Sequence, residues 1–114
     1  MRRFLYFEAD GDGTAALAVP VDRVAGIDVT SATAFSIYFD SVGGGGADTA
    51  DQHSGDVAIS NVTSGDCKVV VEAIADAMLN SSDPFIVVLD AQNAEAIHSS
   101  MTATSGSCAI TLDD

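Results

Sequence analysis

The segment most suggestive of chemistry is acidic and contains glycine, near the start of the chain. Glu8, Asp10 and Asp12 alternate with other residues, and carboxylates at this spacing are typical of calcium loops. An EF-hand loop also needs a bidentate glutamate at its twelfth position, which is Val19 when counted from Glu8. Counted from Asp10, an alanine takes the place of the required glycine. Because Asp-Gly pairs favour tight turns, the segment predicts a hairpin tip, or alternatively a weak cation site at Asp10 and Asp12.

Residue types for nucleophilic catalysis occur later in the chain, but without a recognisable motif. His98, Ser99 and Asp90 form a Ser/His/Asp set on paper, yet nothing resembles the G-x-S-x-G turn that presents a serine nucleophile. The four-glycine run at 43–46 lacks the Lys and Ser/Thr of a phosphate-binding loop. We therefore predict no catalytic residues and no cofactor, and we expect that the protein is not an enzyme.

The two cysteines, Cys67 and Cys108, are separated widely and belong to no C-x-x-C motif. This usage predicts free thiols from a reducing compartment, packed as small apolar side chains. Only two histidines could complete a metal site with them, so we predict no metal centre.

The charge balance narrows the classes of partner. The chain has 17 acidic and 4 basic residues, for a net charge of −13. Binding to nucleic acid or to an anionic membrane surface needs clustered Lys and Arg, and we predict neither partner. Arg2 and Arg3 are the only concentrated positive charge in the sequence. With the aromatic residues Phe4 and Tyr6, they form our predicted protein interface, attracted to an acidic partner surface.

The elements that position these residues follow from hydrophobic periodicity. Residues 3–9 and 14–20 predict a hairpin with the D-G-D-G sequence at its tip, and residues 42–55 predict a long glycine-rich loop. Alternation on 32–41 places Phe35, Ile37 and Phe39 on one face. Further strands are predicted at 24–30, 56–62, 84–92, 96–104 and 107–114, with the 84–92 strand buried on both faces.

A change of period predicts one helix at about 66–80. Apolar residues recur there at spacings of three and four, with Thr63 or Ser64 as the expected cap and Asp66 favouring the helix dipole. At 114 residues and 47% hydrophobic composition, we expect a single domain over 1–114. The predicted fold class is α+β: a mostly antiparallel sheet of about seven or eight short strands, with one helix packed on one face.

Several segments together carry a family resemblance that spans nearly the whole chain. They read RFLYFEADGDGTAALAVPVDRVAGI, SATAFSIYFDS, VVVEAIADAMLNSSDPFIVVLDAQN and CAITLDD. This order resembles small virion structural proteins of marine tailed phages, of the cyanophage type. The glycine-rich loop is longer here than in that pattern.

The resemblance implies a non-enzymatic virion protein, most simply a capsid decoration or minor capsid protein that docks on the head surface. It implies synthesis in the host cytoplasm, location in the virion, partners among the major capsid protein and other virion proteins, and a homo-oligomer. Two alternatives remain open: a tail or filament-forming subunit, and a phage protein that binds and inhibits a host protein.

Overall fold

In the part of the chain that the structure describes, the elements are two four-stranded sheets and one helix. A computed structural model describes residues 3–9, 16–43, 52–104 and 106–113. The elements are β1 (Phe4–Glu8), β2 (Ala16–Pro20), a 3-10 turn (Val21–Arg23), β3 (Val24–Ser31), β4 (Ala34–Gly43), β5 (Gln52–Ile59), α1 (Cys67–Asn80), β6 (Phe85–Asp90), β7 (Glu95–Ala96) and β8 (Cys108–Asp113). The strand order is β2-β1-β6-β7 in the first sheet, sheet I, and β3-β4-β5-β8 in the second, sheet II. All neighbouring strands are antiparallel except β1 and β6, so the predicted α+β class is confirmed.

A single hydrophobic cluster joins both sheets and the helix. Its buried members come from inward-facing strand positions, from one face of α1, and from the connecting segments that carry Val62 and Met101: Leu5, Phe7, Val19, Phe35, Ile37, Phe39, Val57, Ile59, Val62, Cys67, Val70, Ile74, Ile86, Val88, Leu89, Met101 and Cys108. The prediction that alternate residues of β4 face inward is confirmed by Phe35, Ile37 and Phe39. Each side chain of this size contributes about 1.5–3 kcal/mol when it leaves water.

Helix α1 agrees closely with its prediction, but its cap does not. The residue before the helix is Asp66, and its carboxylate makes no hydrogen bond to the helix backbone. Thr63 and Ser64 were therefore the wrong caps, and the Asp66 carboxylate instead accepts a hydrogen bond from Ser100 Oγ at 2.8 Å. No helix in the described part of the chain is long and apolar enough to cross a membrane.

The predicted first hairpin is confirmed. Its first strand, β1, also pairs with β6, and this pairing explains why β6 is apolar. β1 pairs with β2 in antiparallel register, while the tip that carries Asp10 and Asp12 lies outside the described residues. On the other side, β1 pairs with β6 in parallel, with a bulge that lets Val88 and Leu89 both be buried. Burial on both faces is therefore confirmed for the end of β6, but Phe85 at its start is 49% exposed.

Two predicted boundaries were wrong because strand pairing is not local. Residues 42–43 and 52–55 belong to β4 and β5, where Val42 pairs with His53 and Gly43 with Gln52. The ladder extends both strands past a bulge into the predicted loop, and residues 44–51 lie outside the described part.

The predicted strand at 96–104 is reduced to the two residues of β7. Beyond it the chain turns, and the Met101 N–H donates to the His98 carbonyl at 3.1 Å. The Ser100 N–H donates to His98 Nδ1 at 3.0 Å. These local hydrogen bonds satisfy the backbone without a neighbouring strand, as Ser-rich segments commonly do.

Candidate functional site on the outer face of sheet I

The alternation of β1 gives sheet I an inner face and an outer face. Leu5 and Phe7 are buried in the core, so Phe4 and Tyr6 project to the opposite side. Tyr6 lies between Ala18 of β2 and Val87 of β6 in the sheet register. Residues directly opposite one another share a face, so these three side chains form one row across the sheet.

Aromatic side chains cover one end of this outer face. The Tyr6 and Phe85 rings lie with their centroids 4.9 Å apart and tilted by 37°. Phe4 pairs directly with Phe85 across the β1–β6 ladder. We call the surface formed by Phe4, Tyr6, Phe85 and Val87 the aromatic face. Tilted aromatic pairs of this kind stabilise one another and present a rigid apolar surface.

Arg3 borders the aromatic face but has a contact within the chain. Its Nη1 donates a hydrogen bond to the Ser81 carbonyl at 3.0 Å, directly after the last residue of α1. A cation at this position complements the negative end of the helix dipole. Arg3 therefore ties β1 to the end of the helix. Arg2, its predicted companion at the interface, lies outside the described residues.

Two buried carboxylic residues form the other end of the same face. Glu8 and Asp90 are opposite each other in the parallel ladder, and they are 0% and 6% exposed. Asp90 Oδ1 accepts from the backbone N–H groups of Gln92 at 3.0 Å and Asn93 at 3.2 Å, and its Oδ2 accepts from the Asn93 side chain at 2.8 Å. The Asp90 carboxylate thus organises the turn between β6 and β7.

Burial and these acids both favour the neutral form of the Tyr6 hydroxyl. Partial burial raises the pKa of the Tyr6 hydroxyl, and the negative charges of Asp90 and then Glu8 raise it further. The hydroxyl remains protonated at every physiological pH. The aromatic face consequently presents a neutral phenol, able to donate a hydrogen bond to a partner.

Cys108 is close enough to Glu8 to be affected by its charge. Burial raises the pKa of its thiol to about 12, and the charge of Glu8 contributes. The thiolate is the nucleophilic form of cysteine, so this side chain is unreactive at neutral pH. Cys67 is also a free, buried cysteine, and its Sγ lies 3.6 Å from the Ala32 carbonyl oxygen.

His98, Ser99 and Asp90 do not form a catalytic triad in the structure. His98 Nδ1 accepts the Ser100 backbone N–H, and the Ser100 hydroxyl donates to Asp66 Oδ2 at 2.8 Å. A nucleophilic serine would instead give its proton to the imidazole. Ser99 is exposed, and Asp90 is occupied by its turn. Sequence reasoning missed the Asp66–Ser100 bond, for which no local pattern exists.

The described residues hold no group of three or more His, Cys, Asp or Glu side chains that could bind a metal ion. Asp10 and Asp12, the alternative cation ligands, lie outside those residues. No family model, curated protein or solved structure matches the chain. The aromatic face remains the part of sheet I whose composition and exposure favour contact with another molecule.

Proposed function

We propose that the chain is a non-enzymatic structural protein of a phage virion, which docks on the capsid surface through the aromatic face. The observation that carries this proposal is the Tyr6–Phe85 pair on the outer side of sheet I, in which the Phe85 ring is exposed and the Tyr6 ring is partly exposed. Exposed aromatic rings on a rigid sheet resemble the anchors that dominate protein–protein binding. The phage context is supported by the sequence resemblance.

The energetics suit a docking role. Phe85 is half exposed, and Tyr6 and Val87 beside it are partly buried already by their neighbours. Covering the remaining apolar surface of such side chains contributes about 1–3 kcal/mol each at the centre of an interface. Because the rings pack on one another before binding, little side-chain entropy is lost on docking.

The charge of the chain fits an outer surface. A net charge of −13 repels nucleic acid and favours solubility. In this proposal the positive charges of Arg2 and Arg3, next to Phe4 in the sequence, steer the chain towards an acidic capsid surface. Arg3 retains hydrogen-bond donors beyond the Nη1 contact with Ser81, since a guanidinium carries five N–H groups.

A second candidate, a tail or filament subunit, is favoured by one observation. Strands β3 and β8 are the two edges of sheet II, and six of the eight residues of β3 are exposed. Exposed edges can pair with strands of other copies and generate open assemblies. Light scattering separates the two candidates, because a decoration protein forms a closed oligomer whereas a filament subunit forms species of increasing mass.

Light scattering with calcium and with chelator also tests the hairpin tip. If Asp10 and Asp12 form only a turn, the native mass is the same in both buffers. Dissociation by chelator would assign them to a cation site that supports the oligomer.

The decisive experiment measures the chain on gradient-purified phage particles by mass spectrometry and then measures rebinding to particles that lack it. The Phe85→Ser variant is expected to bind at least about tenfold more weakly, which corresponds to about 1.4 kcal/mol. Val69→Ser is the matched control, since Val69 is 43% exposed, close to the value for Phe85, and lies at the start of α1, whereas Arg3 beside the aromatic face is bonded to Ser81 at the other end of the helix. Absence of the chain from purified particles would refute the virion assignment, and equal losses in both variants would refute the docking face.

A further inference from the structure

The outer face of sheet II carries an exposed tyrosine. In β4 the alternate residues Phe35, Ile37 and Phe39 face the core, so Tyr38 projects to the other side and is 42% exposed. The uncharged side chains that share this face in the described residues are small: Ser36, Ala58, Ala109 and Thr111. Tyr38 is consequently the large aromatic group in the described part of this face.

The positions around Tyr38 leave its ring accessible. In the sheet register Tyr38 lies opposite Gly26 of β3 on one side and Asp56 of β5 on the other. A Cβ added to Gly26 would meet no atom within 4 Å, so the space on that side of the ring is open. Side chains in directly opposite positions have Cβ atoms about 5 Å apart, which places the Asp56 carboxylate next to the ring.

Two further acidic residues share this face near Tyr38 in the sheet register. Asp28 follows Gly26 by two residues on β3, is exposed, and pairs with Ser36 on the face of Tyr38. Asp40 follows Tyr38 by two residues on β4 and is exposed. We call the surface formed by Gly26, Asp28, Tyr38, Asp40 and Asp56 the tyrosine–acid face.

This combination is complementary to a basic side chain. A guanidinium or ammonium group is attracted to the face of an aromatic ring and forms charge-assisted hydrogen bonds with carboxylates. The strands of sheet II contain no Lys or Arg, and Arg23 just before β3 is the nearest basic residue in the sequence. The three carboxylates are therefore not balanced by cations of the same sheet, and the overall charge of −13 adds a long-range attraction for positive partners.

We propose that the tyrosine–acid face binds a Lys- or Arg-rich surface segment of a partner protein, with one basic side chain lying over the Tyr38 ring. A second copy of the chain is disfavoured as the occupant, because it brings the same strong negative charge. This site lies on a different sheet from the aromatic face, so it stands or fails independently of the proposed virion role. If both proposals hold, the chain joins two partners of opposite surface chemistry.

The test uses a hexa-arginine peptide as the probe. The isotope-labelled chain is titrated with the peptide and observed by amide NMR, at low salt and at about 150 mM salt. The largest shifts are expected at Gly26, Tyr38, Asp56 and their neighbours in sheet II. A hexa-glutamate peptide is the negative probe.

Variants separate the contribution of the Tyr38 ring to peptide affinity from that of the carboxylates. Tyr38→Ala is expected to weaken binding about threefold to fivefold, whereas Tyr38→Phe retains binding because the ring remains. The double variant Asp28→Asn/Asp40→Asn removes two charges and is expected to weaken binding about fivefold to tenfold. The matched control Glu72→Gln/Asp83→Asn removes two exposed charges elsewhere and leaves most of the affinity.

The outcomes decide the proposal in either direction. The proposal is supported if the chemical shifts change only on the outer face of sheet II and if Tyr38→Ala and Asp28→Asn/Asp40→Asn weaken peptide binding as stated. Equal losses in the two double variants, or shifts spread over α1, overturn it, because the peptide would then sense only net charge. Shifts at the same residues on raising protein concentration without peptide also overturn it, since the occupant would be a second copy. Thermal melts confirm that each variant is folded before binding is measured.

Discussion

Alkaline pH should destabilise the protein through the thiol of Cys108. This side chain starts β8 and is 5% exposed, and its pKa is raised from 9.0 to about 12. Burial is the main cause, because the thiolate is disfavoured in an apolar environment, and the negative charge of Glu8 adds to it. In the unfolded chain both influences are lost.

The direction of the pH effect on stability follows from comparing the protonation of Cys108 in the folded and unfolded chain. Below about pH 9 the thiol is protonated in both the folded and unfolded chain, and its full contribution to stability is present. As the pH rises from 9.0 towards about 12, only the unfolded chain releases the proton, so the free energy of unfolding falls. Because one pKa unit corresponds to 1.36 kcal/mol, the free energy of unfolding is lower by about 1.4 kcal/mol at about pH 10.

The comparison of wild type with Cys108→Ala isolates this effect. At neutral pH the variant should be less stable by about 1–2 kcal/mol, because it leaves a small cavity. At about pH 10 the difference should shrink by about 1.4 kcal/mol, since alanine cannot ionise. Tyr6, whose pKa is also raised, is present in both proteins and cancels from the difference.

Urea unfolding followed by circular dichroism, with a reductant present, gives the free energy of unfolding at each pH. The slope m serves as the control, because an unchanged slope shows that both proteins unfold from equally compact states. A stability difference between wild type and Cys108→Ala that stays constant from pH 7 to pH 10 would refute the argument about burial and Glu8.

Four further substitutions test the packing, the polar contacts and the backbone, all by urea unfolding at neutral pH. Ile74→Ala should cost about 2–5 kcal/mol because Ile74 is buried in the core. Leu79→Ala, at an exposed site on the same helix, should change stability by less than about 0.5 kcal/mol, and similar losses at both sites would contradict the assigned helix face. Ser100→Ala should cost about 1–3 kcal/mol by removing the bond to Asp66, and a neutral result would show that water replaces it. Ala94→Gly should stabilise the protein by about 1 kcal/mol because Ala94 has a φ of 54°, and destabilisation would rule out strain at this turn.

The sequence was sufficient where the structure depends on nearby residues. Helix α1 was predicted at 66–80 and spans Cys67–Asn80, because three-and-four spacing is a local signal. The β1–β2 hairpin and the inward face of β4 followed from the same kind of pattern. The strand predicted at 96–104 failed, since alternation of apolar and polar residues also occurs in a turn closed by His98 and Ser100.

The candidate sites were only partly visible in the sequence. Phe4 and Tyr6 were predicted as interface residues because they belong to the first strand, next to Arg2 and Arg3, but Phe85 was not. Its contact with Tyr6 requires the parallel pairing of β1 with β6, which are far apart along the chain. The carboxylates around Tyr38 are similarly contributed by three strands.

The sequence by itself thus determined the kinds of elements, the acidic surface and the identity of the apolar faces, because each depends on composition or on a repeat of two or 3.6 residues. The tertiary structure alone decided the division into two sheets, the parallel neighbour of β1, and the adjacency of Glu8 with Asp90. It also directed the Asp66 carboxylate to Ser100 rather than to the helix backbone. The physical reason is the same in each case: strand partners and buried polar contacts are chosen by how distant segments pack together, and no local periodicity encodes that choice.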